Sequence, residues 1–139
     1  MSFPDVRKGR IMISKADIEK FIAAKFADTG WVEVPATWLG TSITQSSSRP
    51  LQYRKIGNIV ILEGTLNTTI QRAANAGYNM ATLGTGLRPV VNNYFPQVNG
   101  DYNPCGCSLE TDGKLGWNNK TAILYANGSM LLHTCFFTD

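Results

Sequence analysis

The chain has 139 residues, 43% hydrophobic and 17% charged, which is enough apolar material for one core and too little charge for a disordered protein. A net charge of +3, with the basic residues scattered apart from Arg7, Lys8 and Arg10, gives no nucleic-acid footprint. No apolar run reaches the ~20 residues that a membrane-spanning helix needs, the first residues lack a secretion signal, and three cysteines do not suggest a disulfide framework.

Residues 1–13 combine Pro4, Gly9 and the basic cluster without a sustained period, the pattern of an arm that orders on a partner. Ser14-Lys-Ala-Asp17 has the form of a capping box. Ile18, Phe21, Ile22 and Phe26 follow at helical spacing, and Gly30 stands just past the end, which predicts a helical neck over 14–30. So short a helix is marginal on its own. Its apolar stripe therefore covers either the rest of the chain or copies of itself.

From Trp31 onward the period changes to short strands punctuated by turn residues, so 31–139 reads as one β domain. Trp31 to Val34 is a candidate strand ending at Pro35, and Ser42 to Pro50 a polar loop. Leu51 to Leu66 organises the domain. Two apolar runs flank Gly57-Asn58, a pair suited to a two-residue hairpin turn, which sets Lys55 opposite Val60 and Tyr53 opposite Leu62. Leu51, Tyr53, Val60, Leu62 and Leu66 then share the face expected to form the core.

Asn67 to Gly77 reads as an exposed loop, followed by strands at Asn79 to Leu83 and Val90 to Val98. Cys105 to Glu110 and Lys114 to Asn118 form a second hairpin. A three-residue loop with Gly113 left-handed pairs Glu110 with Lys114, Leu109 with Leu115 and Cys107 with Trp117, which buries one consistent face. A third hairpin is expected between Ala122 to Tyr125 and Ser129 to Phe137 around Asn127-Gly128. Its strands are apolar on both sides, which points to a subunit contact involving Leu131 and His133. Short strands at this spacing define an antiparallel β-sandwich or barrel.

Trp38 and Gly40, the run Leu51-Gln-Tyr-Arg-Lys-Ile-Gly-Asn-Ile-Val, Gly64, and Leu87-Arg-Pro occur in a layout that resembles the small β-rich domain of tail and fibre proteins from phages of Gram-positive bacteria. It is similar to the receptor-binding heads of lactococcal phages, over roughly Trp31 to the C-terminus. The resemblance implies an all-β, jelly-roll-like sandwich head after a helical neck. It also implies a homotrimer bundled through Ile18, Phe21, Ile22 and Phe26, and an arm, 1–13, that docks on other virion proteins. The implied partner is a host cell-surface polysaccharide or teichoic acid, and the implied location is the virion surface, after synthesis in the host cytoplasm. In the lactococcal heads the saccharide site lies near the trimer interface, but its residues align on no motif of this chain.

Catalytic signatures are missing. There is no Gly-x-Ser-x-Gly elbow, no phosphate-cradling loop, and one histidine, His133, so neither an enzyme nor a cofactor is expected. Cys105, Cys107, His133 and Cys135 form a conceivable metal set, but i, i+2 neighbours on a strand stand ~6 to 7 Å apart, too far to share one ion comfortably. Carbohydrate binding needs an aromatic face and short polar groups. Asp101, Tyr102 and Asn103, with Trp117 and Asn119 across the following hairpin, have that composition, as do Tyr78-Asn79 and Asn92-Asn93-Tyr94. Ordinary turn chemistry and a core tryptophan account for the same residues. The expected function is a phage receptor-binding protein. The alternatives are a structural head-fibre or capsid-decoration protein, and a cell-wall carbohydrate-active enzyme module.

Overall fold

The computed structural model of the chain describes residues 6–7, 10–11, 13–120 and 122–139. Two short strands, β1 (Val6–Arg7) and β2 (Arg10–Ile11), pair antiparallel, and residues 1–5, 8–9 and 12 of the expected docking arm lie outside the described residues. Helix α1 (Lys15–Phe26) opens on the capping box expected of it. Ser14 Oγ accepts from the Asp17 amide at 3.1 Å, while the Ser14 amide donates to the Asp17 carboxylate at 3.2 Å. The Ser14 hydroxyl, donating to the Asp17 carboxylate at 2.7 Å, and then the Ser14 amide hold the Asp17 carboxyl below the usual carboxylate range.

No residue of α1 is buried. The helix is tied to the β domain at its C-terminal end. Ala27 accepts from the Gly57 amide at 2.8 Å, and the Asp28 carboxylate receives Arg54 at 3.0 and 2.6 Å. Thr29 donates its amide to the Lys55 carbonyl at 3.0 Å.

Nine further strands follow: β3 (Val32–Glu33), β4 (Ile43–Gln45), β5 (Gln52–Ile56), β6 (Ile59–Thr68), β7 (Gly77–Thr82), β8 (Asn93–Asn99), β9 (Pro104–Leu109), β10 (Lys114–Asn119) and β11 (Ser129–Phe137). They form one antiparallel sheet in the order β3-β5-β6-β11-β8-β9-β10-β7, with β4 on the far end of β6. The sheet folds back on itself. Half of it, β3-β5-β6-β11, meets the other half, β8-β9-β10-β7, through only two register pairs, Met130 with Asn99 and Leu131 with Val98. Beyond that junction the strands part, and the Gln97 carboxamide takes over the ladder by bonding both the amide and the carbonyl of His133. The segment ahead of β4 closes the other side, with Leu39 bridging Ala81 and the Gly40 amide donating to Met80 at 2.7 Å.

The core lies between the two halves. Leu51, Val60, Leu62, Leu66, Met130, Leu132 and Phe136 come from one side, and Met80, Leu109, Leu115 and Trp117 from the other. Their contact is direct, since the Tyr78 hydroxyl donates to Met130 Sδ at 3.3 Å. The β5–β6 hairpin has the expected register, and so does β9–β10, where Leu109 pairs with Leu115, Cys107 with Trp117, and Gly113 has φ +90°. Lys114 forms its ion pair with Asp112 at 3.5 Å and not with Glu110 across the turn. Gly64 (φ +146°) is buried, and a Cβ there would run into the backbone of Pro50 and Leu51 where the chain enters β5.

Two strand expectations are corrected. Ala122 to Tyr125 does not pair with β11, because β11 already has β6 along its whole length on one side and β8 on the other. Leu124 instead bridges Arg72, and the Gly128 amide closes a turn on Tyr125 at 2.9 Å. Nor do Val90 and Val91 belong to β8. They sit at the open end between the halves, 47% and 62% exposed, where the Val90 amide donates to Phe137.

Candidate functional site

The residues singled out from the sequence separate into three places. Trp117 and Asn119 point inward from β10, each 1% exposed, so neither side chain is displayed on the surface. The reason is the register that the sequence itself favours, which turns odd-numbered residues of β10 toward Leu109 and the core. The Trp117 indole N–H donates to Asn119 Oδ1 at 2.9 Å, and the Asn119 amide group reaches the carbonyls of Arg72 and Ala73 at 3.4 and 3.3 Å. Asn119 is a core polar group that ties the 72–76 loop to β10.

Asp101, Tyr102 and Asn103 form the turn between β8 and β9. Asn99 Oδ1 accepts from the amides of Asp101 and Asn103 at 2.9 and 3.0 Å, and Tyr102, with φ +63°, projects outward. This turn is not brought together with Trp117 and Asn119, which lie on the inner side of the sheet. Of the other stretches with similar composition, Tyr78 is half-buried with Arg72 stacked 4.3 Å from its ring, and desolvation holds its hydroxyl well above the usual tyrosine range.

The cysteines and histidine also part company. Cys105 and Cys107 face the core, and burial pushes both thiols up, away from the thiolate that nucleophilic or metal-binding chemistry uses. His133 and Cys135 face outward from β11, with His133 Nδ1 3.2 Å from the Glu63 carboxylate. Among the described residues no group of three or more metal-ligating side chains converges.

Two surfaces remain. The first is apolar. Ile18, Ile22 and Phe26 are exposed on α1, with Phe26 at 67%, and the Phe21 side chain is also part-open. At the same end of the molecule a hollow of about 360 Å³ opens between the halves, bordered by Ile59, Val90, Val91, Cys135 and Phe137. Leu131 and His133 lie on the same outward side of β11 as Phe137.

The second surface is a trough of about 710 Å³ on the outer face of β8-β9-β10-β7. The registers lay it out in rows. Tyr94, Ser108 and Gly116 form one row, and Pro96, Gly106, Asn118 and Gly77 the next. Lys120, two residues beyond Asn118, leans back across it. The floor is low because glycine occupies outward positions on three neighbouring strands. The sequence pointed to Tyr78 and Tyr94, which line this surface, but not to its glycine floor. Gly106 and Gly116 were already outward in the second hairpin, but the neighbouring strands that complete the rows are set by long-range pairing.

No family model and no curated protein matches this chain. Solved structures do match. The head domain of lactococcal phage bIL170, described among the receptor-binding domains of lactococcal phages, superposes with a TM-score of 0.62 at 11% identity, over 78% of this chain and 97% of that one. The receptor-binding protein gp15 of Listeria phage PSA superposes with a TM-score of 0.61 at 20% identity, over 89% of this chain and 73% of that one. At these identities the likeness is one of fold, and the chain has the antiparallel β fold of phage receptor-binding heads with a short helix ahead of it.

Proposed function

We propose that the chain is a bacteriophage virion surface protein, assembled as a homotrimer, whose β head binds a saccharide of the host cell surface. The observation that carries this reading is the shared fold with receptor-binding proteins of phages that infect two Gram-positive hosts. The exposed apolar residues of α1 and the apolar hollow between the halves support assembly, because exposed apolar surface of this kind is what subunit contacts cover. Ile18, Phe21, Ile22 and Phe26, with Leu131 and His133, are the proposed contact residues, and residues 1–13 the attachment to other virion proteins. Asp101, Tyr102 and Asn103 offer exposed polar and aromatic groups to sugar hydroxyls. The carbohydrate-active enzyme alternative needs two carboxylates facing one another across a sugar, and it gains nothing from Glu63 and Asp112, which face His133 and Lys114 instead.

Sedimentation and whole-cell adsorption test the proposal together. A trimer mass is expected, with binding of the labelled protein to Gram-positive cells that is lost after periodate oxidation of their glycans. A monomer at micromolar concentration would remove the assembly. A trimer that adsorbs to no cell in a broad panel would favour a structural decoration protein instead.

A further inference from the structure

We infer that the outer-face trough of β8-β9-β10-β7 is itself a glycan site, complete within one chain, and that Lys120 makes it selective for glycans carrying an anionic group. The inference rests on the saccharide-binding reading above and assigns to it a place and a ligand charge.

The glycines come first. Several glycines of this fold are demanded by backbone crowding, because a Cβ on Gly40, Gly64 or Gly113 would strike a main-chain atom of another segment. Gly106 and Gly77 are different. A Cβ on Gly106 would meet only the far end of Lys120, at 2.8 Å from Cε and 3.3 Å from Nζ, and one on Gly77 would come no closer than 3.6 Å to the Asn118 side chain. Neither has positive φ. Gly106 lies inside β9, where glycine weakens a strand, while Gly77 opens β7; where neither a bulge nor the fold's own backbone demands glycine, it leaves room for close approach from outside the chain, by a ligand or another backbone.

The walls then specify what fits. Tyr94, 75% exposed, stands beside Ser108 and offers a ring face to the CH side of a sugar, while Asn118 and Ser108 supply donors and acceptors for hydroxyls. With Pro96 along the edge, the trough has an apolar floor with few polar groups, as ligand sites usually have. A peptide strand is a poorer occupant, because the trough lies on a sheet face and the outer edge of β7 is already engaged by Leu39 and Gly40.

Charge completes the assignment. Among the described residues Lys120 is the one charged residue lining the trough, no carboxylate lines it, and the Lys120 ammonium has no ion pair. A lone ammonium held over an uncharged floor attracts an anion and discriminates against a neutral analogue. Phosphate and carboxylate substituents share that chemistry.

Titration of the full chain with three probes of equal length separates the possibilities: a phosphorylated dextran oligosaccharide, an oligogalacturonate and an unmodified dextran oligosaccharide. At low salt at least one anionic probe should bind at least tenfold more tightly than the neutral one, and which one it is identifies the substituent. Lys120→Met should abolish that preference. Gly106→Thr should abolish binding of every probe with the melting temperature preserved, since the added side chain displaces only the flexible end of Lys120. The inference is overturned by equal affinity for charged and neutral probes, by no binding of any probe, or by unchanged binding in Gly106→Thr. Cell adsorption that Gly106→Thr retains would overturn the trough while leaving the receptor reading intact. Probe binding by a protein that adsorbs to no cell would do the reverse.

Discussion

Replacing Asn119 with alanine distinguishes a core asparagine from a sugar-binding one. Its carboxamide accepts the Trp117 indole N–H at 2.9 Å and reaches two loop carbonyls at 3.3 and 3.4 Å, all away from solvent. Truncation leaves the indole N–H buried without a partner, at a cost of ~1 to 3 kcal/mol, and removes two long hydrogen bonds worth ~0.5 kcal/mol each. A loss of about 3 kcal/mol follows, which for a domain of this size lowers the melting temperature by roughly 12 °C. Thermal and urea unfolding followed by tryptophan fluorescence would measure it. In a Trp117→Phe background the same substitution should cost about 2 kcal/mol less, because the donor it abandons is already gone. An Asn119→Ala protein that melts with wild type and loses glycan affinity would refute the reasoning. It would mean that β10 is shifted by one residue and that the face assigned to the core is the outer one.

Three other outcomes are expected. Gly64→Ala combines a backbone conformation that L residues rarely adopt with collision against Pro50 and Leu51, and should cost at least ~2 kcal/mol, read as a large fall in soluble yield and melting temperature. Paired substitutions Ile22→Asp with Phe26→Asp, on exposed positions of α1, should convert the assembled species to monomer in sedimentation while leaving the far-UV spectrum of the β head intact. For Asp28, the hydrogen bond from Arg54, then that from the Gly30 amide, lowers the carboxyl from its usual 3.8 to about 2. A depressed folded-state value gives stability that is present above the unfolded pKa and lost as pH falls from about 4 toward 2. The melting-temperature gap between wild type and Asp28→Asn should therefore be constant near neutrality and close across that window. A gap unchanged at pH 2 would contradict the assignment.

Local chemistry made much of this fold legible. The Ser14–Asp17 box, the Gly57-Asn58 turn and the left-handed Gly113 each act over a few residues, and each appears where its residue types require it. The alternation in β9 and β10 even carried the warning that Trp117 belongs inside. The third hairpin failed for a reason of another kind. Ala122 to Tyr125 and β11 suit each other as neighbours, but β6 and β8 occupy both edges of β11, and competition among distant partners cannot be seen in a window of ten residues.

The same distinction governs function. The position of the helix, the strand content and the core face of the central hairpin follow from spacing and turn residues, because those forces are short-range. The pairing of β8 with β9 and of β10 with β7 depends on contacts between segments tens of residues apart. Those pairings set Pro96, Gly106, Asn118 and Gly77 side by side, and so a trough exists where the linear order shows only scattered glycines.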